Sequence, residues 1–136
     1  MSKRSNSRKL AMRMLYQLDI RSETALDVIF EEMDTAHYAP ETLDWAQELA
    51  SCTWQNISTI DDLIQKLSID WEPDRLNLVD KALLRIGIAE IKYVKTPHPI
   101  VINEILELSK EFSTDESSKF INGILNEFAK QTCSQD

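Results

Sequence analysis

The stretch VDKALLRIGIAEI, residues 79–91, decides the fold, because it is apolar on almost every side when it is wound as a helix. Helices of that kind lie in the middle of a protein, with other helices packed around them. In a helix over about 80–94, the main polar strip holds Lys81, Arg85 and Lys92, whereas Glu90 falls within the apolar arc. A buried carboxylate needs a partner or hydrogen bonds. We therefore predict that Glu90 is a structural residue rather than a catalytic one.

Helical periodicity extends over nearly all of the 136 residues. With two glycines and no alternating run of β-branched residues, the sequence does not favour sheets. We predict an all-α fold of about seven helices in one domain over residues 1–136, with a basic segment over 1–9 and a frayed tail from about 131. The other helices cover about 5–20, 23–38, 99–112 and 114–130, and a long segment from 40 to 67 that breaks near Ser58. A turn follows Pro73, and Ser113 with Glu116 forms a candidate capping box for the last helix.

The long segment carries side chains at spacings of four and three, which is a heptad pattern. This stripe consists of Ala46, Ala50, Thr53, Ile57, Ile60, Ile64 and Leu67. We interpret it as the spine of the bundle, and the interface of a coiled-coil dimer is the alternative.

The sequence predicts no catalytic site, no cofactor and no metal. Two glycines leave no room for a P-loop or a dinucleotide-binding motif. His37 and His98 lie in different connections without metal ligands at suitable spacing, and Cys52 and Cys133 form no disulfide or metal-binding motif. No run approaches the roughly 18 apolar residues of a membrane span, and the N-terminus lacks an apolar signal region. A cytoplasmic protein that is not an enzyme and does not contact a membrane is therefore predicted.

Charge is distributed unevenly along the chain. The net charge is −8, of which residues 1–16 carry +5 and the remaining 120 residues carry −13. The negative total does not favour a general nucleic-acid binder. A basic end on an acidic body favours an interaction role, although a solvated terminus on a soluble acidic surface gives the same pattern.

A second stretch, SSKFINGILNEF at residues 117–128, predicts a candidate binding surface. Its inward stripe on a helical wheel consists of Ile121, Ile124, Leu125 and Phe128. Phe120 lies at the edge of that stripe, and beyond it follow Gly123, Lys119, Asn126 and Asn122. These groups suit single-stranded RNA, because phosphates contact cations, bases stack on rings and amides read base edges. The alternative is that Gly123 lets another helix cross closely. Helix one has a related flank, formed by Arg8, Lys9, Met12 and Tyr16.

Four collinear stretches resemble the NusB family of bacterial transcription antitermination factors. They are SRKLAMRMLYQLD (7–19), VDKALLRIGIAEI (79–91), PHPIVINEILELSKEF (97–112) and SSKFINGILNEF (117–128). The combination of INE, ELxK and KFxNG is quite specific, and the resemblance covers most of the chain, with helices two to four the weakest part.

The resemblance implies an all-helical fold of two three-helix halves without enzymatic activity. It also implies binding of boxA RNA, especially in ribosomal RNA leaders, together with the small ribosomal protein NusE. That complex joins other Nus factors on RNA polymerase and suppresses premature termination, and some family members form homodimers that hide the RNA surface. A helical adaptor or homodimer without an RNA role is the alternative, which the acidic composition favours.

Carried over by position, the family's RNA surface falls on Arg4, Arg8, Tyr16, Lys119 and Phe120, with Arg85 and Asn122 as further candidates. Within the INE motif, Asn103 and Glu104 are expected to be structural and to order the start of helix six. The chain departs from the family at two points. Serines and an asparagine interrupt the basic run near the N-terminus, so RNA binding is expected to depend on the partner. Gly87 stands where the family commonly has alanine.

Overall fold

The structure is a computed structural model that describes residues 3–21, 25–68 and 76–133. Over these ranges the chain forms seven α-helices and no strand, which confirms the predicted all-α fold. In chain order they are α1 (Lys3–Ile20), α2 (Leu26–Glu32), α3 (Pro40–Gln55), α4 (Ile57–Leu67), α5 (Leu78–Ala89), α6 (His98–Phe112) and α7 (Asp115–Cys133). None of the helices in these ranges is long and apolar enough to cross a membrane. The predicted turn after Pro73 lies outside the described residues.

Helix α5 lies at the centre of the fold, as its apolar character on nearly every side predicts. It packs against α1, α3, α4, α6 and α7. Helix α1 also packs on α2 and α3, while α6 packs on α7, so the bundle divides into two halves that share α5. Four aliphatic side chains of α5 are completely buried: Leu83, Leu84, Ile86 and Ile88. Each such burial is worth about 1.5–3 kcal/mol, so α5 anchors both halves.

The two glycines have opposite surroundings. A Cβ atom added at Gly87 would lie 3.0 Å from Cδ2 of Leu125 and 3.5 Å from Cγ1 of Ile105. A Cβ atom added at Gly123 would meet nothing within 4 Å. The hypothesis that another helix crosses closely at Gly123 is therefore wrong. The close approach occurs at Gly87, where α5 meets α6 and α7.

Helices α3 and α4 come from the predicted long segment, which breaks at Asn56, close to the predicted position near Ser58. The backbone of Asn56 (φ −110°, ψ 19°) leaves the helical range, and its Nδ2 donates to the carbonyl oxygen of Cys52 at 2.8 Å. Most of the heptad stripe is buried within the chain: Ala46, Ala50, Thr53, Ile60 and Ile64. The stripe is therefore part of the core, and it is not available as a dimer interface.

Helix α2 is shorter than the predicted 23–38. It ends at Glu32, because Met33 adopts an extended backbone (φ −79°, ψ 145°). Oδ1 of Asp34 then accepts a hydrogen bond from the backbone N–H of Ala36 at 3.3 Å. Local bonds from short polar side chains compete with the helix, and hydrophobic periodicity does not register them.

The central helical segment ends at Val94, as predicted, but its last turn is not α-helical. After Ala89 the backbone continues as a π-helical turn over Glu90–Val94, which ends at Lys95 in the left-handed region (φ 64°). Hydrogen bonds in such a turn span five residues instead of four. The 3.6-residue period used for the prediction therefore stops at Ala89.

The start of α7 is capped by Thr114 and not by Ser113. Oγ1 of Thr114 accepts a hydrogen bond from the backbone N–H of Ser117 at 3.0 Å. The predicted capping box of Ser113 and Glu116 is therefore wrong, because Ser117 and not a glutamate lies three residues after the cap, and Glu116 is exposed. Helix α7 continues past Lys130 to Cys133, and residues 134–136 of the predicted frayed tail lie outside the described ranges.

Ser113 serves a different purpose, together with Ser117. Their hydroxyl groups donate to the two carboxylate oxygens of Asp80, at 2.7 and 2.6 Å. Asp80 is only 2% exposed, and a buried carboxylate is stable only with such donors. This pair of hydrogen bonds fixes the α6–α7 connection against the first turn of α5.

Candidate RNA-binding surface

The outer face of α7 presents most of the groups that its sequence predicts. Lys119, Asn122 and Gly123 are exposed, and Phe120 is half-buried against the core. Nδ2 of Asn126 donates to Oδ1 of Asn122 at 2.7 Å, so one amide side chain orients the other. Because the space above Gly123 is open, these residues form a solvent-facing notch with a cation and a ring beside it.

Arg8 is not on the surface. Its side chain is buried, and its Nε and Nη2 atoms donate to the two carboxylate oxygens of Glu90 at 2.8 and 2.5 Å. Glu90 itself has no exposed surface. Arg8 is therefore the partner that the buried Glu90 carboxylate needs, and in this conformation it cannot contact a phosphate. The wheel of helix one placed Arg8 and Met12 on an outer flank, but both are buried because α1 packs against several helices.

Arg85 is also buried inside the fold and paired with carboxylates. It is 6% exposed, with bonds of 2.9 and 3.0 Å to the carboxylate of Asp61 and 2.8 Å to Asp19. Burial acts to lower the pKa of Arg85, but the hydrogen bonds to Asp61 and Asp19 outweigh it and raise the pKa above its ordinary value. Arg85 thus joins α5 to α4 and α1, and it does not face an RNA.

The INE motif has a structural role at only one of its two polar residues. Glu104 accepts a hydrogen bond from the hydroxyl of Ser5 at 2.8 Å and lies 3.9 Å from Arg8 Nη1. It therefore joins α6 to α1 and does not order the start of α6. Asn103 is exposed and lies in the second turn, whereas α6 begins with the backbone of Pro97 at its N-cap.

Arg4 is exposed at the first turn of α1, with its guanidinium 4.1 Å from the ring centroid of Trp45. Such a cation–π contact is worth about 0.5–1 kcal/mol at an exposed site. The contact orients Arg4 without burying it, so its donors are available to an anion. The neighbouring Lys3 is 3.4 Å from the carboxylate of Glu41 on α3.

The outer strip of α1 contains two further cations, of which the sequence placed only Lys9 on the flank of helix one and neither among the residues of the RNA surface. Lys9 and Arg13 lie 5.1 and 5.9 Å from the ring centroid of Phe112. Lys9 also pairs with Glu111 at 2.9 Å, and Arg13 is exposed. The spacing of four residues between the two bases was visible in the sequence, but only the fold brings Phe112 to them.

Tyr16 continues this strip and is half-buried. It lines a groove of about 500 Å³ between α1 and α2. Phe112 ends α6 and α7 begins at Asp115, so the α6–α7 connection leads from the α1 strip to Lys119 and Phe120. The structure therefore separates the predicted residues into an outer set, formed by Arg4, Tyr16, Lys119, Phe120 and Asn122, and an inner pair, formed by Arg8 and Arg85.

Acidic residues occupy another part of the surface. Glu41, Asp44 and Glu48 are exposed on α3 and line a groove beside Lys3 and Arg4. In the ranges that the structure describes, no group of three His, Cys, Asp or Glu side chains is placed to hold a metal ion.

Residues 5–130 match the NusB family. The chain is 37% identical over 132 residues to the transcription antitermination protein NusB of Streptomyces griseus, with 94% of this chain and 92% of the relative covered. Its structure superposes on T. maritima NusB with a TM-score of 0.86 and 32% identity, covering 96% of this chain and 92% of the other. A chain in the crystal structure of antitermination factors NusB and NusE in complex with double-stranded RNA gives a TM-score of 0.83 and 28% identity, with coverages of 96% and 98%. The agreement in sequence and fold over nearly the full length of these proteins establishes that the chain belongs to the NusB family.

Proposed function

We propose that this protein is a transcription antitermination factor that binds boxA-type RNA together with NusE, the small basic ribosomal protein. The observation that carries the proposal is the group on the outer face of α7, where Lys119, the half-buried Phe120 and Asn122 surround the open notch at Gly123. Family membership supports it, and so does the structural neighbour that was solved with NusE and RNA. The function is non-catalytic, resides in a single domain over residues 1–136, and acts in the cytoplasm on ribosomal RNA operons with other Nus factors and RNA polymerase.

The outer set of residues supplies the three kinds of contact that RNA requires. Lys119 and Arg4 contact phosphates, Phe120 and Tyr16 stack on bases, and the amide of Asn122 reads a base edge. Arg8 and Arg85 stay in their ion pairs and hold α1, α4 and α5 in register. RNA affinity therefore depends on few cations, which fits a protein that needs a partner for tight binding.

The acidic body of the chain provides the surface for that partner. Residues 17–136 carry −13, and exposed carboxylates such as Glu41, Asp44 and Glu48 lie together on α3. Complementary charge speeds association with a basic protein and disfavours other partners. We expect a 1:1 complex that binds RNA more tightly than this chain alone.

A binding experiment tests this function directly. Fluorescence anisotropy measures the affinity for a labelled boxA-like single strand, a scrambled strand and a duplex, with and without the basic ribosomal protein, at two salt concentrations. We expect the partner to increase affinity and the boxA-like strand to bind more tightly than the scrambled one. Absence of any association with the partner at low salt, seen by titration calorimetry, would refute the proposal.

Variants on α7 separate the two main kinds of RNA contact. Lys119→Ala should weaken binding to both strands equally and reduce the log–log salt slope by about 0.7. Phe120→Ala should cost roughly 1–3 kcal/mol of binding with the slope almost unchanged. Lys130→Ala, an exposed lysine in the last turn of the same helix, is the matched control. If Phe120→Ala stays folded and keeps full affinity, Phe120 belongs to the core edge and not to the RNA surface.

A further inference from the structure

The turn between α5 and α6 differs in charge from the rest of the acidic body. We call residues 92–100 the tip. It consists of the end of the π-helical turn, the connection 95–97 and the start of α6. Residues 91–103 contain no Asp or Glu, and Lys92 and Lys95 give this stretch a charge of +2. Residues 17–136 as a whole carry −13, so the tip is a positive site on a negative protein body.

Both lysines of the tip are available to a partner. Lys92 and Lys95 are exposed, and neither pairs with a carboxylate in the part of the chain that the structure describes. The ammonium group of Lys92 lies 5.6 Å from the ring centroid of Tyr93, a contact that orients the charge without neutralising it. By contrast, Lys9 on α1 pairs with Glu111 at 2.9 Å. Cations without an internal partner favour an anionic one from outside.

Exposed aliphatic side chains belong to the same tip. Val94 is 39% exposed and Ile100 is 50% exposed, and they are two of the five large hydrophobic side chains exposed over the described ranges. The π-helical turn packs against α6, so the end of the turn lies next to the start of that helix. Pro97 and Pro99 are exposed as well. Apolar side chains with polar or charged groups around them are typical of a protein–protein contact.

The backbone of the tip is fixed before any partner binds. The backbone N–H of Thr96 donates to the carbonyl oxygen of Glu90 at 3.3 Å, and that of Ile100 donates to the carbonyl oxygen of Pro97 at 3.1 Å. Lys95 has a φ of 64°, the only positive φ of a non-glycine residue over the described ranges. Glycine adopts this conformation without strain, so lysine places a cation here at a cost in stability. A surface that is already ordered loses little conformational entropy on binding.

We propose that the tip docks an acidic segment of another protein, in which aspartates and glutamates flank aliphatic side chains. The carboxylates of that segment bind Lys92 and Lys95, and its aliphatic groups cover Val94 and Ile100. RNA is a poorer occupant, because bases stack on open ring faces and the exposed apolar side chains of the tip are aliphatic. A basic ribosomal protein is a poor occupant too, because like charges repel. The tip is therefore a second protein contact, separate from the acidic surface on α3.

The test uses the full chain, isotopically labelled for two-dimensional NMR, and three short synthetic peptides. In the first peptide aspartate and glutamate alternate with leucine, in the second the leucines are serines, and in the third the acids are lysines. We expect the first peptide to shift the amide resonances of the tip and to bind less tightly as salt is added, because salt screens exposed charges. The second should bind more weakly than the first, and the third should not bind at the tip.

Variants at exposed positions of the tip separate the charged contribution from the apolar one. Lys92→Gln and Lys95→Gln should each weaken binding of the first peptide by about 1.4- to 5-fold, the value of an exposed ion pair. Lys66→Gln on α4, an exposed lysine with the same charge change, is the control.

Ile100→Ser should weaken binding by about 4- to 13-fold, the value of removing the exposed half of an isoleucine from water, whereas Ile100→Leu should bind nearly as well as the natural protein. Val28→Ser on α2, where the valine is 41% exposed, is the control for the aliphatic change. Melts followed by circular dichroism identify the temperature range in which all the variants are folded.

The outcomes separate this inference from the proposed function. Absence of shifts at the tip, or an equal loss of affinity in Lys66→Gln and Val28→Ser, would overturn the docking site and leave RNA binding unaffected. A lower salt slope of RNA binding in Lys92→Gln or Lys95→Gln, without an effect on the peptide, would assign the tip to RNA instead. Shifts at the tip that appear on raising the concentration of the chain alone, and that the peptide does not displace, would assign it to a second copy. If no RNA binds but the peptide does, the proposed function fails and the docking site stands.

Discussion

Replacing each glycine with alanine should change stability in opposite directions. At Gly123 the added methyl group meets nothing within 4 Å, so the substitution gains helix propensity and removes backbone freedom from the unfolded chain. Together these effects are worth about 0.5–1 kcal/mol. For a chain of this size that corresponds to a rise in Tm of roughly 2–5 °C. Because the notch is filled, RNA binding should weaken even though the fold becomes more stable.

At Gly87 the same gain in helix propensity is offset by the cost of overpacking the core around Leu125. The new Cβ would lie 3.0 and 3.3 Å from the two terminal carbons of Leu125, and Leu125 is itself completely buried. The leucine must therefore move a few tenths of an ångström within a close-packed core, which typically costs 1–3 kcal/mol. Subtracting about 1 kcal/mol of helix propensity leaves a net loss of about 0–2 kcal/mol.

Urea denaturation followed by far-ultraviolet circular dichroism gives both free energies of unfolding, and thermal melts give the Tm values. Similar urea m-values in the two variants and the natural protein would show that the unfolded states are comparable. A fall in Tm for Gly123→Ala would mean that another part of the molecule occupies the space above α7. A gain for Gly87→Ala as large as that for Gly123→Ala would refute the close crossing of α5 with α6 and α7.

Three further predictions concern the buried polar groups. Arg8→Ala leaves the Glu90 carboxylate buried without its partner and should cost about 3–5 kcal/mol, whereas Arg4→Ala should cost only about 0.5–1 kcal/mol; equal losses in urea denaturation would contradict the buried ion pair. Asp80→Asn deprives one of two serine hydroxyls of its acceptor and should cost about 1–3 kcal/mol, and unchanged stability would argue against those hydrogen bonds. Burial raises the pKa of the Cys52 thiol, so less of it is thiolate at about pH 8. When Cys133 is replaced by serine, alkylation of Cys52 by iodoacetamide should therefore be slower than alkylation of free cysteine. An equal or faster rate would count against this burial.

The centre of the fold could be predicted from the sequence because its signal is local. The apolar character of residues 79–91 identifies the central helix by itself, and the inward stripe of α7 follows from its own periodicity. All four stripe residues, Ile121, Ile124, Leu125 and Phe128, are buried. The π-helical turn after Ala89 and the extended backbone at Met33 have no such signal, because hydrophobic spacing does not report backbone hydrogen bonding.

The roles of the two glycines could not be assigned from the sequence. Each interrupts a helical run, and each lies beside apolar and polar neighbours. What distinguishes them is the position of Leu125 and Ile105 relative to Gly87, and both residues are distant in the chain. A helical wheel gives the direction of a residue but not the distance to the next helix, so the close crossing was visible only in the folded structure.

The basic residues of α1 show again that a helical wheel does not reveal which residues other helices cover, and here the difference affects which residues can bind RNA. Arg4, Arg8 and Arg13 belong to one charged helix, yet Arg8 pairs with Glu90 across 82 positions of sequence, while Arg4 and Arg13 stay exposed. An alanine at any of the three can lower RNA binding, but for different reasons. At Arg8 the loss would follow from a weakened fold, and raising the RNA concentration under stabilising conditions would recover it. At Arg4 or Arg13 the fold would remain intact and the salt dependence would flatten, because a phosphate contact releases counterions and a buried ion pair does not. Stability and salt slope measured on the same variants therefore decide which arginines contact RNA.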